Sequence, residues 1–119
     1  MKELFKDVLA LKDVKGILFL SLEGQLILKE LSSSASADVE KGEWQAFIDA
    51  MNGVQEADLV YEYDRIYLRK TGIGYLLILM TGSAQVAMVR LNCDILIPSL
   101  KGKRFYRKFA MAKKKGFSL

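Results

Sequence analysis

Few residues of this 119-residue chain carry the side chains that catalysis requires. There is no histidine, which excludes Ser-His-Asp and Cys-His catalysis, imidazole acid–base chemistry and the usual zinc sites. The single cysteine, Cys93, cannot form an intrachain disulfide. It lies on the apolar side of a predicted helix, which indicates a small core residue and not a nucleophile. We therefore predict a protein that is not an enzyme, with no catalytic residue, no metal site and no cofactor.

Two carboxylates close together, Glu62 and Asp64, are the pattern that glycoside hydrolysis would need. Both fall on a predicted strand that is followed at once by a basic one. Cross-strand ion pairs are the simpler explanation, because opposite charges that face each other stabilise a hairpin. The predicted partners of these two acids are Arg65, Arg69 and Lys70.

Two further patterns indicate loops and not reaction centres. Residues 31–38 are mostly serine and alanine, with no Gly-x-Ser-x-Gly elbow and no suitable base. Gly72 and Gly74 precede a strand and lack the third glycine of a dinucleotide-binding loop.

The charge is divided unevenly along the chain. The overall charge is +4, but residues 1–100 carry −4 and residues 101–119 carry +8. We therefore predict an acidic globular domain over 1–100 and a basic tail over 101–119. Phe105, Phe109 and Ala112 of the tail would share one helical face. The tail is either a solvated extension or a contact for an anionic membrane surface or acidic partner, and we do not expect nucleic acid. The residues predicted to make the anionic contact are Lys101, Lys103, Arg104, Arg107, Lys108, Lys113, Lys114 and Lys115.

The composition is that of a folded domain, with 51% hydrophobic and 27% charged residues. The longest apolar run, residues 75–80, is far shorter than the ~20 residues that span a bilayer. The first residues do not resemble a signal peptide. We expect a cytoplasmic protein.

Hydrophobic periodicity predicts three helices and five strands. The helices cover residues 2–12, residues 39–54 and a stretch from Ala84, which Pro98 ends or kinks. A hairpin with its turn at Glu23-Gly24 joins strands 17–22 and 25–31. A second hairpin joins strands 58–64 and 65–70, and an apolar central strand follows at 75–80. The fold class is α+β.

Three features together resemble the roadblock family, the small domain of the dynein light-chain type. These are Val14-Lys15-Gly16-Ile17 entering a strand with Glu23-Gly24 behind it, the mid-chain helix, and the strands of 59–80 before a helix over 84–97. The resemblance covers residues 3–98 and not the tail. It implies a profilin-like five-stranded antiparallel sheet in the order α-β-β-α-β-β-β-α, with the first and last helices on one face and the middle helix on the other.

The resemblance also implies a homodimer formed through the middle helix and the strand after it. Trp44 and Met51 belong to an apolar stripe on that helix, which the periodicity alone would equally assign to the core. The residues predicted for the dimer interface are Trp44, Phe47, Ile48, Met51, Leu59, Tyr61 and Tyr63.

Roadblock proteins bind or scaffold Ras-like small GTPases, or activate their GTP hydrolysis, so the resemblance implies a non-catalytic regulator or adaptor. The bacterial activators resemble no arginine-finger protein, so Arg65 and Arg69 are not assigned that role. The alternatives are a scaffold recruited to an anionic membrane surface or acidic partner through its tail, and a ligand sensor of profilin- or PAS-like shape.

Overall fold

The computed structural model describes residues 5–31 and 44–100. The basic residues of the tail, and the domain boundary predicted at residue 100, lie at or beyond the end of the described chain. The order of elements confirms the predicted α+β arrangement. The elements are α1 (Lys6–Leu9), β1 (Val14–Ser21), β2 (Leu26–Leu31), α2 (Trp44–Ala50), β3 (Glu56–Val60), β4 (Asp64–Lys70), β5 (Gly74–Thr81) and α3 (Val86–Leu100).

The five strands form one antiparallel sheet in the order β2-β1-β5-β4-β3. The two most apolar strands, β1 and β5, lie in the interior, as their continuous hydrophobic runs predict. The charged end of β2 places it at one edge, and β3 forms the other.

Alternate residues of the strands build two cores, one on each face of the sheet. Phe19 and Ile78 lie on the face covered by α1 and α3, which contribute Val8 and Val89 to that core. Leu18, Leu77 and Leu68 lie on the other face, where Ile48 of α2 covers them. This division between the α1/α3 face and the α2 face confirms the predicted layers.

The first hairpin turns where the sequence predicts. Gly24 has φ +89°, a conformation that glycine adopts without the penalty other residues incur. Its amide donates to the Ser21 carbonyl at 2.9 Å. A Cβ added at Gly24 would lie 2.7 Å from Cα of Gln45, so the turn also permits the close approach of α2.

The helices differ from the prediction at their ends: α1 and α2 end earlier than predicted, and α3 begins at Val86 and not at Ala84. Residues 10–13 form turns and not a continuation of α1, and the left-handed Asp13, at φ 73°, reverses the chain into β1. Helix α3 continues past Pro98 to Leu100. The proline removes one hydrogen bond of the helix, the one to the carbonyl of residue 94, which α3 tolerates. For α2, the predicted residues 39–43 lie outside the described chain.

The first strand of the second hairpin was predicted to end four residues too late. Strand β3 ends at Val60, and residues 61–63 form the connection to β4. The amide of Tyr61 donates to the Asp64 carbonyl at 2.9 Å, while Asp64 already pairs with Thr81 of β5. Tyrosines 61 and 63 therefore lie in the turn and not on the edge strand.

Candidate interaction surfaces

Among the described residues, no strand pairs with the outer side of β3, which leaves a free backbone edge there. The carbonyl of Gln55 accepts from Lys70, and the amide of Tyr61 donates to Asp64, so the odd-numbered residues between them bond to β4. In an antiparallel pair, the residues in between direct their backbone groups the other way. Glu56, Asp58 and Val60 therefore direct their amides and carbonyls outward, as an edge that another strand can pair with.

The acid at the centre of this edge is neutralised by an arginine from β4. Asp58 accepts two hydrogen bonds from Arg65, Nε to Oδ1 at 2.7 Å and Nη2 to Oδ2 at 2.6 Å. Hydrogen bonding by Arg65 lowers the pKa of the Asp58 carboxyl below its ordinary value, against the opposing effect of burial. Arg65 also donates to the carbonyl of Ala84 at 3.4 Å, which ties the edge to the start of α3.

A second polar cluster joins β3, β4 and α3. Nη1 of Arg69 donates to Asp94 Oδ1 at 2.6 Å and to the Tyr67 hydroxyl at 3.0 Å. The Tyr67 hydroxyl donates to Glu56, and Arg90 Nε lies 3.0 Å from Glu56 Oε2. Burial, reinforced by the hydrogen bond to Glu56, raises the pKa of Tyr67 to about 12. We call these five residues the α3 latch: Glu56, Tyr67, Arg69, Arg90 and Asp94.

The cross-strand pairing predicted from the sequence was wrong in its partners. Asp64 cannot pair with Arg65, because the two are neighbours on one strand and direct their side chains to opposite faces. Asp64 pairs instead with Lys15 of β1. The true partners are Asp58 for Arg65, and Asp94 and Glu56 for Arg69. Glu56, Arg90 and Asp94 were not predicted as site residues. The one signal for them was the Arg90–Asp94 spacing of four residues, which places both on the same side of α3.

The apolar stripe of α2 packs inward within the chain. Ile48 is buried, and Trp44, Phe47 and Met51 are partly buried against the same core. The rings of Trp44 and Phe47 meet edge to face, with centroids 5.7 Å apart. Leu59 is paired across the strands with Ile66, which packs against the same core. The core assignment of the stripe therefore holds for Ile48, while the partial exposure of the other three leaves surface for a partner.

The turn between β3 and β4 exposes apolar side chains next to the free edge. Val60 and Tyr61 are largely exposed, and Tyr63 is 76% exposed. Val60, Tyr61 and Tyr63 therefore form an exposed patch at the end of β3. Trp44 lies at the other end of the sheet, because its neighbour Gln45 approaches Gly24 of the β1–β2 turn.

The single cysteine has no access to solvent. Cys93 is fully buried in the core between α3 and the sheet, and burial raises the pKa of its thiol to about 12. A protonated, enclosed thiol is a poor nucleophile, which agrees with the assignment of Cys93 to the core.

Within residues 5–31 and 44–100, no group of three or more Cys, Asp or Glu side chains could hold a metal ion. No described helix is long and apolar enough to cross a membrane.

No family model and no curated protein matches the sequence, but solved structures do match the fold. A Roadblock/LC7 domain from Streptomyces avermitilis superposes with a TM-score of 0.64 at 14% identity, over 85% of this chain and 94% of that one. This chain has the Roadblock/LC7 fold. The MglB protein of Myxococcus xanthus matches the same roadblock fold with a TM-score of 0.63 at 17% identity, over 82% of this chain and 85% of that one. An MglB with a tetrameric arrangement matches with a TM-score of 0.62 at 12% identity, over 92% and 88%.

Proposed function

We propose that this chain belongs to the roadblock family and acts as a non-catalytic, dimeric regulator or adaptor of a Ras-like small GTPase. The observation that carries the proposal is the roadblock fold, which extends over most of the chain. MglB is among the solved structures that match this fold. The free β3 edge and the partly exposed α2 stripe give the fold a surface on which two copies can associate.

Two copies would associate by pairing their β3 edges in antiparallel register. The even-numbered residues of β3 supply outward amides and carbonyls for such a pair. Because Asp58 is bound by Arg65 and Glu56 by Arg90, the two edges would meet without unneutralised acids. Trp44, Phe47 and Met51 would add apolar contacts on the α2 face.

Arginines near this edge are committed to contacts within the chain. Arg65 forms two hydrogen bonds with Asp58, and Arg69 is held by Asp94 and Tyr67. An arginine finger must be free to reach the γ-phosphate of a bound nucleotide. We therefore infer that any effect on GTP hydrolysis would come from positioning the residues of the GTPase and not from inserting Arg65 or Arg69.

Nucleotide-dependent binding tests the regulator proposal directly. The full-length protein is immobilised and offered the purified small GTPases of its source organism, each loaded with GDP or with a non-hydrolysable GTP analogue. We expect one GTPase to bind in one nucleotide state with an affinity about tenfold or more above the other state. Hydrolysis by that GTPase is then measured with and without the protein. Equal or absent binding in both states would contradict the proposal.

We predict that Val60→Pro weakens the dimer about tenfold or more. The change removes an outward amide from each copy, so a symmetric dimer loses two hydrogen bonds of ~1 kcal/mol each. Val60 is an exposed residue at the end of β3, so the fold of the single chain should persist. Sedimentation velocity over a range of concentrations gives the dissociation constant. Val60→Thr, which keeps the amide and the branched side chain, is the matched control. Equal dissociation constants for the two variants would exclude pairing at this edge.

The charge division supports a second candidate function, a scaffold that the basic tail recruits to an anionic surface. Residues 101–119 hold eight basic residues and no acid. Deletion of 101–119 separates the two candidates. We expect the truncated chain to keep GTPase binding and to lose binding to vesicles that contain phosphatidylserine, whereas loss of GTPase binding would assign that role to the tail.

A further inference from the structure

Helix α3 is apolar on its outer side as well as its inner side. Val89, Cys93 and Leu96 face the core. On the opposite side Met88 is 45%, Leu91 53% and Ile95 68% exposed. Their spacing of three and four residues aligns them along one helical face. A helix that faces water on one side usually carries polar residues there. This outer stripe of Met88, Leu91 and Ile95 therefore indicates a surface to which another segment or protein binds.

Two grooves lie along one side of the outer stripe, both between α3 and the N-terminal segment. One, of about 380 Å³, is lined by Met88 together with Leu11, Lys12 and Asp13. The other, of about 160 Å³, is lined by Ile95 together with Asp7 and Val8. The stripe and the grooves together give α3 a docking surface with an apolar centre and two acids at its margin.

We propose that residues 103–115 of the same chain occupy this surface, as a helix that folds back antiparallel on α3. The tail starts where α3 ends, at Leu100, so no long connection is needed. Gly102 lies two residues beyond α3, and glycine permits the left-handed conformation in which many helices end. A connection of two to five residues is typical of two antiparallel helices.

The apolar spacing of the tail matches the outer stripe when read in the opposite direction. Phe105, Phe109 and Ala112 are separated by four and three residues. With a two-residue connection, antiparallel packing places Phe109 beside Ile95 and Ala112 beside Leu91. Phe105 then lies beside Pro98, which is also exposed.

Charge favours the same arrangement. The tail carries +8 and the rest of the chain −4. Asp7 and Asp13 line the two grooves along one side of the stripe, together with one lysine, Lys12. Basic residues beside Phe105 and Phe109 would therefore meet a surface of opposite sign. The inference is independent of the GTPase proposal, since it concerns contacts within one chain.

Disulfide trapping in the full-length chain tests the proposed register. In the variant Ile95→Cys/Phe109→Cys, oxidised glutathione should form an intramolecular bond, seen as a loss of two hydrogens with the mass of a single chain. The matched control is Ile95→Cys/Arg107→Cys, because residue 107 lies on the opposite side of the predicted tail helix. A tethered tail gives some collisions in any case, so we expect the docked pair to react about tenfold faster than the control. The native Cys93 does not interfere, because its buried thiol has a pKa of about 12.

Equal rates for the two pairs would overturn the proposal. Bonds that form only between chains would also overturn it, because the occupant would then be the tail of a second copy.

Limited trypsin digestion supplies a measurement that needs no cysteine. Ile95→Asp places a charge in the outer stripe, at a side chain that is already 68% exposed. This variant should be cleaved within 101–115 about five times faster than the wild type, because the rate of cleavage follows the population of undocked tail. Leu22→Asp, an exposed leucine at the β1–β2 turn, is the control and should cleave as the wild type does. Identical cleavage in Ile95→Asp and wild type would contradict docking. If only phosphatidylserine vesicles protected the tail, its partner would be lipid and the proposal would fail.

Discussion

Gly74→Ala is expected to lower the free energy of unfolding by about 3 kcal/mol or more. Gly74 opens β5 opposite Ser21 of β1. A Cβ there would lie 2.8 Å from Cε1 of Phe19 and closer still to the carbonyl oxygen of Leu20. The carbonyl belongs to the backbone of a central strand and cannot turn aside as a side chain would. The two central strands must therefore separate locally to accept a single methyl group.

Chemical denaturation followed by far-UV circular dichroism measures this effect. Gly72→Ala is the matched control, because nothing lies within 4 Å of a Cβ added there. It should leave stability unchanged or raise it by up to about 1 kcal/mol, through the lower entropy of the unfolded chain. Similar losses for both variants would show that the close approach of β1 to Gly74 does not determine stability.

Arg69→Met is expected to lower the free energy of unfolding by about 2 kcal/mol. Methionine keeps much of the packing of the arginine stem but removes the charge at the centre of the α3 latch. Tyr67, which is almost fully buried, would lose one of its hydrogen bonds. Glu56 and Asp94 would remain with Arg90 as the nearest described cation of that cluster. Burial acts to lower the pKa of Arg69, but its hydrogen bonds with Tyr67 and Asp94 outweigh burial and raise that pKa.

A neighbouring cation provides the control for the latch. Lys70 lies on the opposite face of β4, with its ammonium 6.0 Å from the ring centroid of Tyr75. Lys70→Met should cost about 0.5 kcal/mol or less. A double-mutant cycle of Arg69→Met with Asp94→Asn should give a coupling energy of about 1 kcal/mol, because Asp94 is half exposed and partly screened. Equal losses for Arg69→Met and Lys70→Met would mean that the latch adds nothing specific.

Hydrophobic pattern predicted which strands lie in the interior and that both faces of the sheet are covered, while the roadblock resemblance assigned the helices to their faces. The uninterrupted run of β5 placed it in the interior, and the charges at the end of β2 placed that strand at an edge. Such signals are strong because burying a whole strand requires apolar residues on both of its sides. Cys93 was assigned to the core correctly for the same reason, since it shares a helical face with Val89 and Leu96.

Contacts between distant segments were not predictable from pattern. The sequence indicated that Arg65 and Arg69 would pair with acids, but nearby acids in the sequence were chosen. The actual partner Asp94 lies 25 positions from Arg69, and the packing angle of α3 brings it there. The end of β3 was misplaced because tyrosines favour strands, whereas the hydrogen bond between Tyr61 and Asp64 places both tyrosines in a turn.

The pairing of β1 with β5 joins two parts of the sheet, each of which is formed by strands that follow one another in the sequence. On one side β1 and β2 form a local hairpin, and on the other β3, β4 and β5 form a continuous meander. One junction joins residues 14–21 to residues 74–81, and closing it requires a long loop to form before any contact repays the entropy. The two local parts can therefore begin to fold separately, while their junction makes unfolding a single cooperative event. Gly74 lies in that junction, where a side chain would meet the Leu20 carbonyl of β1, so its lack of a side chain lets the two parts close into one sheet.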